Sequence, residues 1–313
     1  MERATYRVRP STDSKSTDKG SGSGKGGGPF PPDGRLATLA GVHLSDLDPE
    51  RDLQDPARKQ GYVTTLFDTI APRYDRFTRW FSFGMDARWK RQLADWAEAV
   101  VRPGDVVLDL ACGTGDVIER LDRGIGGSSG VSPSARPVWL VGADPSAEML
   151  RVARQRFARA GPLARSRSRM AASPRLSIAL LRADMMALPF PDRCAAAVTV
   201  GYGFRNTPSL DAALSEVARV LRPGGWLFDL DFFQPEYMAW RRVYLWYLRR
   251  TGRAVGRWWH GEPEAYGYIA RSIEAWTTAE GFQRHLAAAG FRVERVVSRF
   301  GGGICLHAAR LRE

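Results

Sequence analysis

The sequence predicts an α/β fold: a mostly parallel, seven-stranded sheet with helices on both faces and an antiparallel hairpin at its C-terminal end. Three observations predict it. Short apolar runs alternate with stretches whose apolar residues recur at helical spacing. Two of the runs follow tight turns, Arg102-Pro103-Gly104 and Arg222-Pro223-Gly224-Gly225. The last two runs are separated only by Gly301-Gly302-Gly303, a link too short for the crossover that a parallel return requires.

Taken in order, Asp105–Leu110 is the first strand, Val138–Gly142 the second, Leu176–Arg182 the third, Ala195–Val200 the fourth and Trp226–Phe233 the fifth. Between the second and third, Ala147–Ala158 gathers Met149, Leu150, Val152, Ala153 and Phe157 on one helical face. Between the fourth and fifth, Leu210–Leu221 does the same with Ala213, Leu214, Val217 and Val220. Such alternation calls for a sheet covered by helices on both sides. Phe291–Phe300 and Gly303–Leu311 make the closing hairpin. Residues 1–58 read as a disordered tail, because Ser11–Pro32 is rich in Ser, Gly, Lys and Pro and has too little apolar surface to offset its ordering entropy. One domain over residues 59–313 follows. Gly124–Pro137 and Gly161–Pro174 interrupt the pattern as surface loops.

The chain has 313 residues, 44% of them hydrophobic, enough for a core of its own. It contains no apolar run of membrane-spanning length and no apolar secretory leader, so a cytoplasmic location is expected. Cys112, Cys194 and Cys305 lie far apart, which argues against a disulfide framework and against a metal site. The net charge of +12 fits a nucleic acid, an anionic membrane surface or a merely basic composition. No dense Lys/Arg block, zinc pattern or aromatic RNA motif supports nucleic acid, which stays a remote alternative.

The chemistry is carried by the first strand and the loop after it, Asp109-Leu110-Ala111-Cys112-Gly113-Thr114-Gly115-Asp116. Glycines there let the backbone approach a ligand closely, at the strand ends where open α/β sheets bind cofactors. The third glycine of a dinucleotide fingerprint is Ile118 here, so that fingerprint fails. Asp116 suits a cationic ligand better than a pyrophosphate, and Asp109 suits an ammonium group. Asp144, ending the second strand, suits a ribose diol. Asp184, ending the third, suits an adenine amino group, with Met185 and Met186 beside the ring. Each acid alone is equally well read as a helix cap. Together and in this order they point to S-adenosylmethionine (SAM) and to a Rossmann-like class I methyltransferase.

From about Thr65 to the C-terminus the chain also resembles the ubiquinone/menaquinone biosynthesis C-methyltransferase family. The resemblance rests on Leu66-Phe67-Asp68-Thr69-Ile70-Ala71-Pro72-Arg73-Tyr74-Asp75, on Ser82-Phe83-Gly84 with Arg88-Trp89-Lys90-Arg91, and on Gly203-Phe204-Arg205-Asn206. It continues in Leu230-Asp231-Phe232, Tyr266-Gly267-Tyr268-Ile269 and Gly303-Ile304-Cys305-Leu306-His307. It implies methylation of a ring carbon of a prenylated quinol, demethylmenaquinol or a ubiquinone precursor, with SAM as donor. Three positions depart from the family pattern: Thr78, where Asn is usual, Asp86, where His is usual, and Gly201, often Ser or Ala.

Under this reading Arg205 stands near the substrate and stabilises a phenolate. Tyr74 hydrogen-bonds a substrate hydroxyl or the SAM carboxylate, and Asp231 and His307 are candidate bases. Gly201 joins Asp109, Gly113, Thr114, Gly115, Asp144, Asp184 and Met185 around the cofactor. The aromatic and basic stretch Tyr237–Trp259, within a cap over about 236–262, suits a peripheral membrane contact as well as simple packing on the domain. A homodimer is compatible with the sequence. The alternative enzyme is a methyltransferase of the same fold acting on a soluble phenolic or polyketide-like metabolite.

Overall fold

The computed structural model describes residues 49–53, 55–127, 136–159, 176–260 and 264–313. Within them one sheet is built from β1 (Val106–Leu110), β2 (Val138–Asp144), β3 (Leu176–Arg182), β4 (Ala195–Gly201), β5 (Leu221–Phe232), β6 (Phe291–Arg299) and β7 (Ile304–Leu311). The order across the sheet is β3-β2-β1-β4-β5-β7-β6. β1 to β5 run parallel, and β7 is antiparallel to both β5 and β6. The expected fold class is therefore present. The hairpin is inverted relative to chain order: β7, arriving last, inserts beside β5 and leaves β6 at the edge. Burial explains this. Ile304–Ala309 are all buried, whereas β6 is mostly exposed or half-exposed, so the apolar strand takes the interior place.

Besides a short helix at Pro49–Asp52, nine helices pack around the sheet among the described residues: α1 (Pro56–Ile70), α2 (Tyr74–Phe81), α3 (Met85–Glu98), α4 (Asp116–Gly127), α5 (Ala147–Arg159), α6 (Leu210–Val220), α7 (Met238–His260), α8 (Glu264–Glu274) and α9 (Ala279–Ala288). Ser209 and Thr278 start α6 and α9 as N-caps, their hydroxyls accepting from Ala212 N at 3.2 Å and Gly281 N at 3.1 Å. Strand alternation divides the core. Phe228 and Leu230 of β5, with Ile304, Leu306 and Ala308 of β7, join Trp89 and Leu93 of α3 in one apolar cluster. The intervening Phe233 and His307 meet Phe282 of α9 instead.

Details differ from the sequence reading. Helix α1 starts at Pro56, slightly ahead of the expected end of the tail. Gly124–Gly127 continue α4 rather than opening a loop. β5 begins at Leu221, because Arg222–Gly225 form a bulge between the Ala195–Leu221 and Ala197–Trp226 pairs. Residues 1–48, 128–135 and the insert 161–174 lie outside the described residues.

Candidate active site

β1 has β2 on one side and β4 on the other, so the chain order reverses at β1 and a crevice opens at the C-terminal strand ends. After β1, Ala111 (φ 52°), Gly113 (φ 53°) and Gly115 (φ 78°) take left-handed backbone, which glycine tolerates best. A Cβ on Gly115 would also stand 2.9 Å from Phe157 Cε2, so glycine lets α5 close on the loop. Asp144 ties the loop to β2: its Oδ2 accepts from Gly113 N at 2.8 Å and its Oδ1 from Ser146 N at 2.8 Å. Burial lifts this carboxyl to about 6.

The N-terminal helices supply two further clamps. Thr114 Oγ1 donates to Asp75 Oδ1 at 2.6 Å, and Ser146 Oγ donates to Asp68 Oδ1 at 2.5 Å. Arg156 of α5 pairs with Asp75 in turn. The motif that contains Asp68 and Asp75 thus fastens α1 and α2 over the strand ends.

Beneath these helices lies a cavity of about 960 Å³ that runs out to solvent. Asp109, Gly113, Thr114, Asp144, Asp184, Met185 and Gly201 line it; Gly115, also expected there, sits behind the loop against Phe157 and Ala153. Met186 is off the lining as well. Asp109 is 2% exposed; its Oδ1 accepts from Thr199 Oγ1 at 2.7 Å and its Oδ2 has no protein partner. Burial raises this carboxyl to about 7. A buried carboxylate oxygen left unpaired on a cavity wall is what an ammonium group would satisfy. At Gly203 a Cβ would come within 2.7 Å of Val200 Cγ1 and 2.9 Å of Ala111 Cβ, so bare backbone lines the wall there. These features fit SAM. Asp116 also lines the cavity, but it is paired within the protein and not open to a cationic ligand. Burial opposes its charge, but Lys90 at 3.2 Å, Arg120 at 3.1 Å and Arg156 at 3.5 Å outweigh that and hold its carboxyl below the usual range. Its charge is spent within the protein.

A second cavity adjoins the first and shares Phe67, Tyr74 and Tyr202 with it. Its remaining wall is largely apolar: Leu66, Ile70, Phe77, Trp89, Phe232 and Ile269. The polar groups on that wall are Thr78, Ser82, Asp86, Arg205 and Tyr268, in addition to the two shared tyrosines.

The expected catalytic residues fall into two groups. Tyr74 stands at the junction of the cavities, and burial pushes its hydroxyl above the ordinary range. Arg205 faces the second cavity, stacked 5.1 Å from the Phe232 ring centre. Its Nη1 donates to Asp231 Oδ1 at 2.9 Å, and its own amide donates to Asp231 Oδ2 at 3.1 Å. Burial disfavours the cation, but Asp231 overrides that, so the guanidinium stays charged. Asp231 is 0% exposed and lines neither cavity, so the reading of it as a base gives way to that of Arg205's counter-ion. His307 is also misplaced as a base. It lies in β7 at 1% exposure, 3.3 Å from Asp229 Oδ2 and edge-on to Phe233 and Phe282, and burial lowers it to about 4.

Sequence reasoning missed several wall residues. Lys90 lines the first cavity, and Asp86, noticed only as a departure, lines the second; their side chains meet at 2.9 Å. Tyr202 takes φ 61° directly after β4, which points its ring between the cavities. Tyr268 Oη donates to Asn206 Oδ1 at 2.6 Å, tying α8 to the Arg205 turn. The four-residue spacing of Asp86 and Lys90 on a helix was a legible signal for their pairing.

Comparison with known proteins agrees with this geometry. The model of the ubiE/COQ5 methyltransferase family matches residues 55–310. A demethylmenaquinone methyltransferase of Thermus thermophilus is 37% identical over 75% of this chain and 96% of its own length. A ubiquinone/menaquinone biosynthesis C-methyltransferase of Brucella abortus is 34% identical over 81% of this chain and 87% of its own. A solved Bordetella parapertussis protein, 20% identical, covers 72% of this chain and 68% of its own with a TM-score of 0.50, a likeness of fold alone.

Proposed function

This chain belongs to the ubiE/COQ5 methyltransferase family, and from that premise we propose that it methylates a ring carbon of a prenylated quinol such as demethylmenaquinol or a ubiquinone precursor. It is a SAM-dependent methyltransferase. SAM supplies an electrophilic methyl group on a sulfonium. Asp109, the Gly113–Thr114 backbone, Asp144, Asp184 with Met185, and Gly201 are the groups that would hold it.

The observation that carries the substrate class is the apolar second cavity, which joins the first through Phe67, Tyr74 and Tyr202. A planar quinol seated there presents its ring toward the donor, and fixing the two reactants contributes about 7–11 kcal/mol to lowering the barrier. Arg205 offers a fixed positive charge to the developing phenolate. The deciding experiment is methyl transfer to reduced short-chain demethylmenaquinone and to a reduced ubiquinone precursor, read by mass spectrometry of the product. Turnover with a soluble phenol and with neither quinol would overturn the assignment.

Helix α7 supports a peripheral membrane contact. Tyr244 and Leu248 face inward against Ala270 and Ile273 of α8, while Trp246 is 59% exposed and Tyr237, Val243 and Tyr247 are exposed with it. Arg250 lies 5.9 Å from the Trp246 ring centre. Aromatics beside arginines on an outer helical face suit a headgroup boundary, and a polyprenyl substrate resides there. The side chains of 253–260 lie outside the described residues. Co-sedimentation with anionic vesicles should weaken in Trp246→Ala/Arg250→Glu; equal sedimentation of variant and wild type would remove the helix as the contact. Light scattering of the same preparation tests the expected homodimer.

A further inference from the structure

The second cavity needs a group that takes up the hydroxyl proton of its substrate, and neither residue expected to do so lines it. Five titratable side chains do: Tyr74, Asp86, Tyr202, Arg205 and Tyr268. The three tyrosines are all pushed above their ordinary range, first by burial, so they remain protonated and donate. Arg205 is held as a cation by Asp231. That leaves the carboxylate.

Asp86 sits in the first turn of α3, and its side chain is 8% exposed. Its Oδ2 takes the Lys90 ammonium at 2.9 Å. Its Oδ1 is buried and has no hydrogen-bond partner. A carboxyl group with one oxygen anchored and the other unpaired, on the wall of an apolar cavity, is an incomplete site. Lys90 anchors it, and two tyrosine hydroxyls stand near it. Lys90 is fixed in its charged form despite burial, by Asp86 and Asp116 together. Tyr202, from the turn after β4, is close enough for its hydroxyl to hydrogen-bond Asp86, and Tyr74, from α2, feels the Asp86 charge; both keep their protons.

We propose that Asp86 accepts a hydrogen bond from the substrate's aryl hydroxyl and takes its proton as the ring carbon attacks. The inference rests on the phenolic substrate class proposed above. The O–H bond breaks and its proton passes to Asp86 Oδ1, while the oxygen's electron density moves into the ring. The ring carbon forms a bond to the methyl group, whose bond to sulfur breaks with the pair remaining on sulfur. The methylated carbon then loses its own hydrogen as a proton to water, restoring the aromatic phenolate. That phenolate recovers the first proton from Asp86. One proton is released per methyl transferred. Asp86 is thereby a catalytic residue, and Lys90 is a positioning residue that anchors its other oxygen.

The test compares wild type with Asp86→Asn and Asp86→Glu. With reduced short-chain demethylmenaquinone, Asp86→Asn is expected to lose about 100-fold or more in kcat, the range of a general base, and Asp86→Glu to recover part of it. SAM affinity by calorimetry should stay within about twofold of wild type in both variants, because Asp86 does not line the donor cavity. A second reading needs no turnover: bound 4-nitrophenol titrated by its phenolate absorbance. A carboxylate acceptor favours the protonated phenol, so the bound midpoint should fall by about one unit or more in Asp86→Asn. A kcat in Asp86→Asn within about threefold of wild type overturns the proposal, and so does an unchanged nitrophenol midpoint. If wild type methylates no quinol, the substrate assignment fails while the nitrophenol titration still decides the role of Asp86. Should Asp86→Asn lose SAM binding through misfolding, Asp86→Ser takes its place in both measurements, and the same two results overturn the proposal.

Discussion

The two cavities share a wall and are built on opposite plans. The donor cavity is made by strand ends: Asp109 is the last residue but one of β1, Asp144 closes β2, Asp184 follows β3 and Gly201 closes β4. Its shape is largely backbone, set by left-handed residues at 111, 113 and 115 and by two amide bonds to Asp144. The second cavity is made by side chains drawn from α1, α2, α3, the turn after β4, the end of β5 and α8. Backbone turns leave short motifs in a sequence. A wall assembled from distant helices leaves only scattered apolar residues. The first kind of site is legible in the sequence and the second is not; of the three departures, Thr78 and Asp86 line the second cavity and Gly201 the first.

This contrast can be broken at several points. The largest effect is expected at the seam between chamber and sheet, the Arg205–Asp231 pair. Removing one partner of a buried ion pair leaves an uncompensated charge, so Asp231→Ala should cost about 3–5 kcal/mol in chemical denaturation. The double variant Arg205→Met/Asp231→Leu should regain most of that stability and none of the activity, which would separate the fold role of the pair from its catalytic one.

Next in size is Gly203→Ala. Its new Cβ meets Val200 Cγ1 at 2.7 Å and Ala111 Cβ at 2.9 Å, both part of the donor side. Overpacking of this kind costs about 1–3 kcal/mol. SAM affinity should fall by calorimetry while 4-nitrophenol binding in the second cavity is retained. Loss of both together would show that the cavities do not behave as separate sites.

Asp109 sharpens the comparison through pH. Burial lifts its carboxyl to about 7, so it is largely protonated below that value and charged above it. A cationic ligand favours the charged form. SAM affinity should therefore rise as pH increases from about 6 to about 8, by at most about tenfold per unit. In Asp109→Asn the affinity should be lower and flat over that interval. A pH-independent wild type would mean that the ammonium is held elsewhere. The smallest effect is expected at Tyr268→Phe, which removes the 2.6 Å bond to Asn206 Oδ1 and leaves a buried carbonyl unpaired. The cost is about 1–3 kcal/mol at most, read as a lower melting temperature with SAM affinity unchanged.

What the sequence determined by itself was the class of fold, the cofactor loop and the family. Strand–helix alternation, the Gly301–Gly303 link and the acids at strand ends are local signals, because hydrophobic period and turn geometry are fixed by neighbouring residues. Contacts between distant elements carry no such period. Only the tertiary structure placed β7 inside β6, turned Asp231 into the counter-ion of Arg205, buried His307 of β7 against α9, and paired Asp116 within the protein. It also brought Asp86, in the first turn of α3, to face Tyr202 and Arg205 from beyond β4. A side chain's partner, and hence its protonation, depends on which elements pack against it, and that is decided when the core closes.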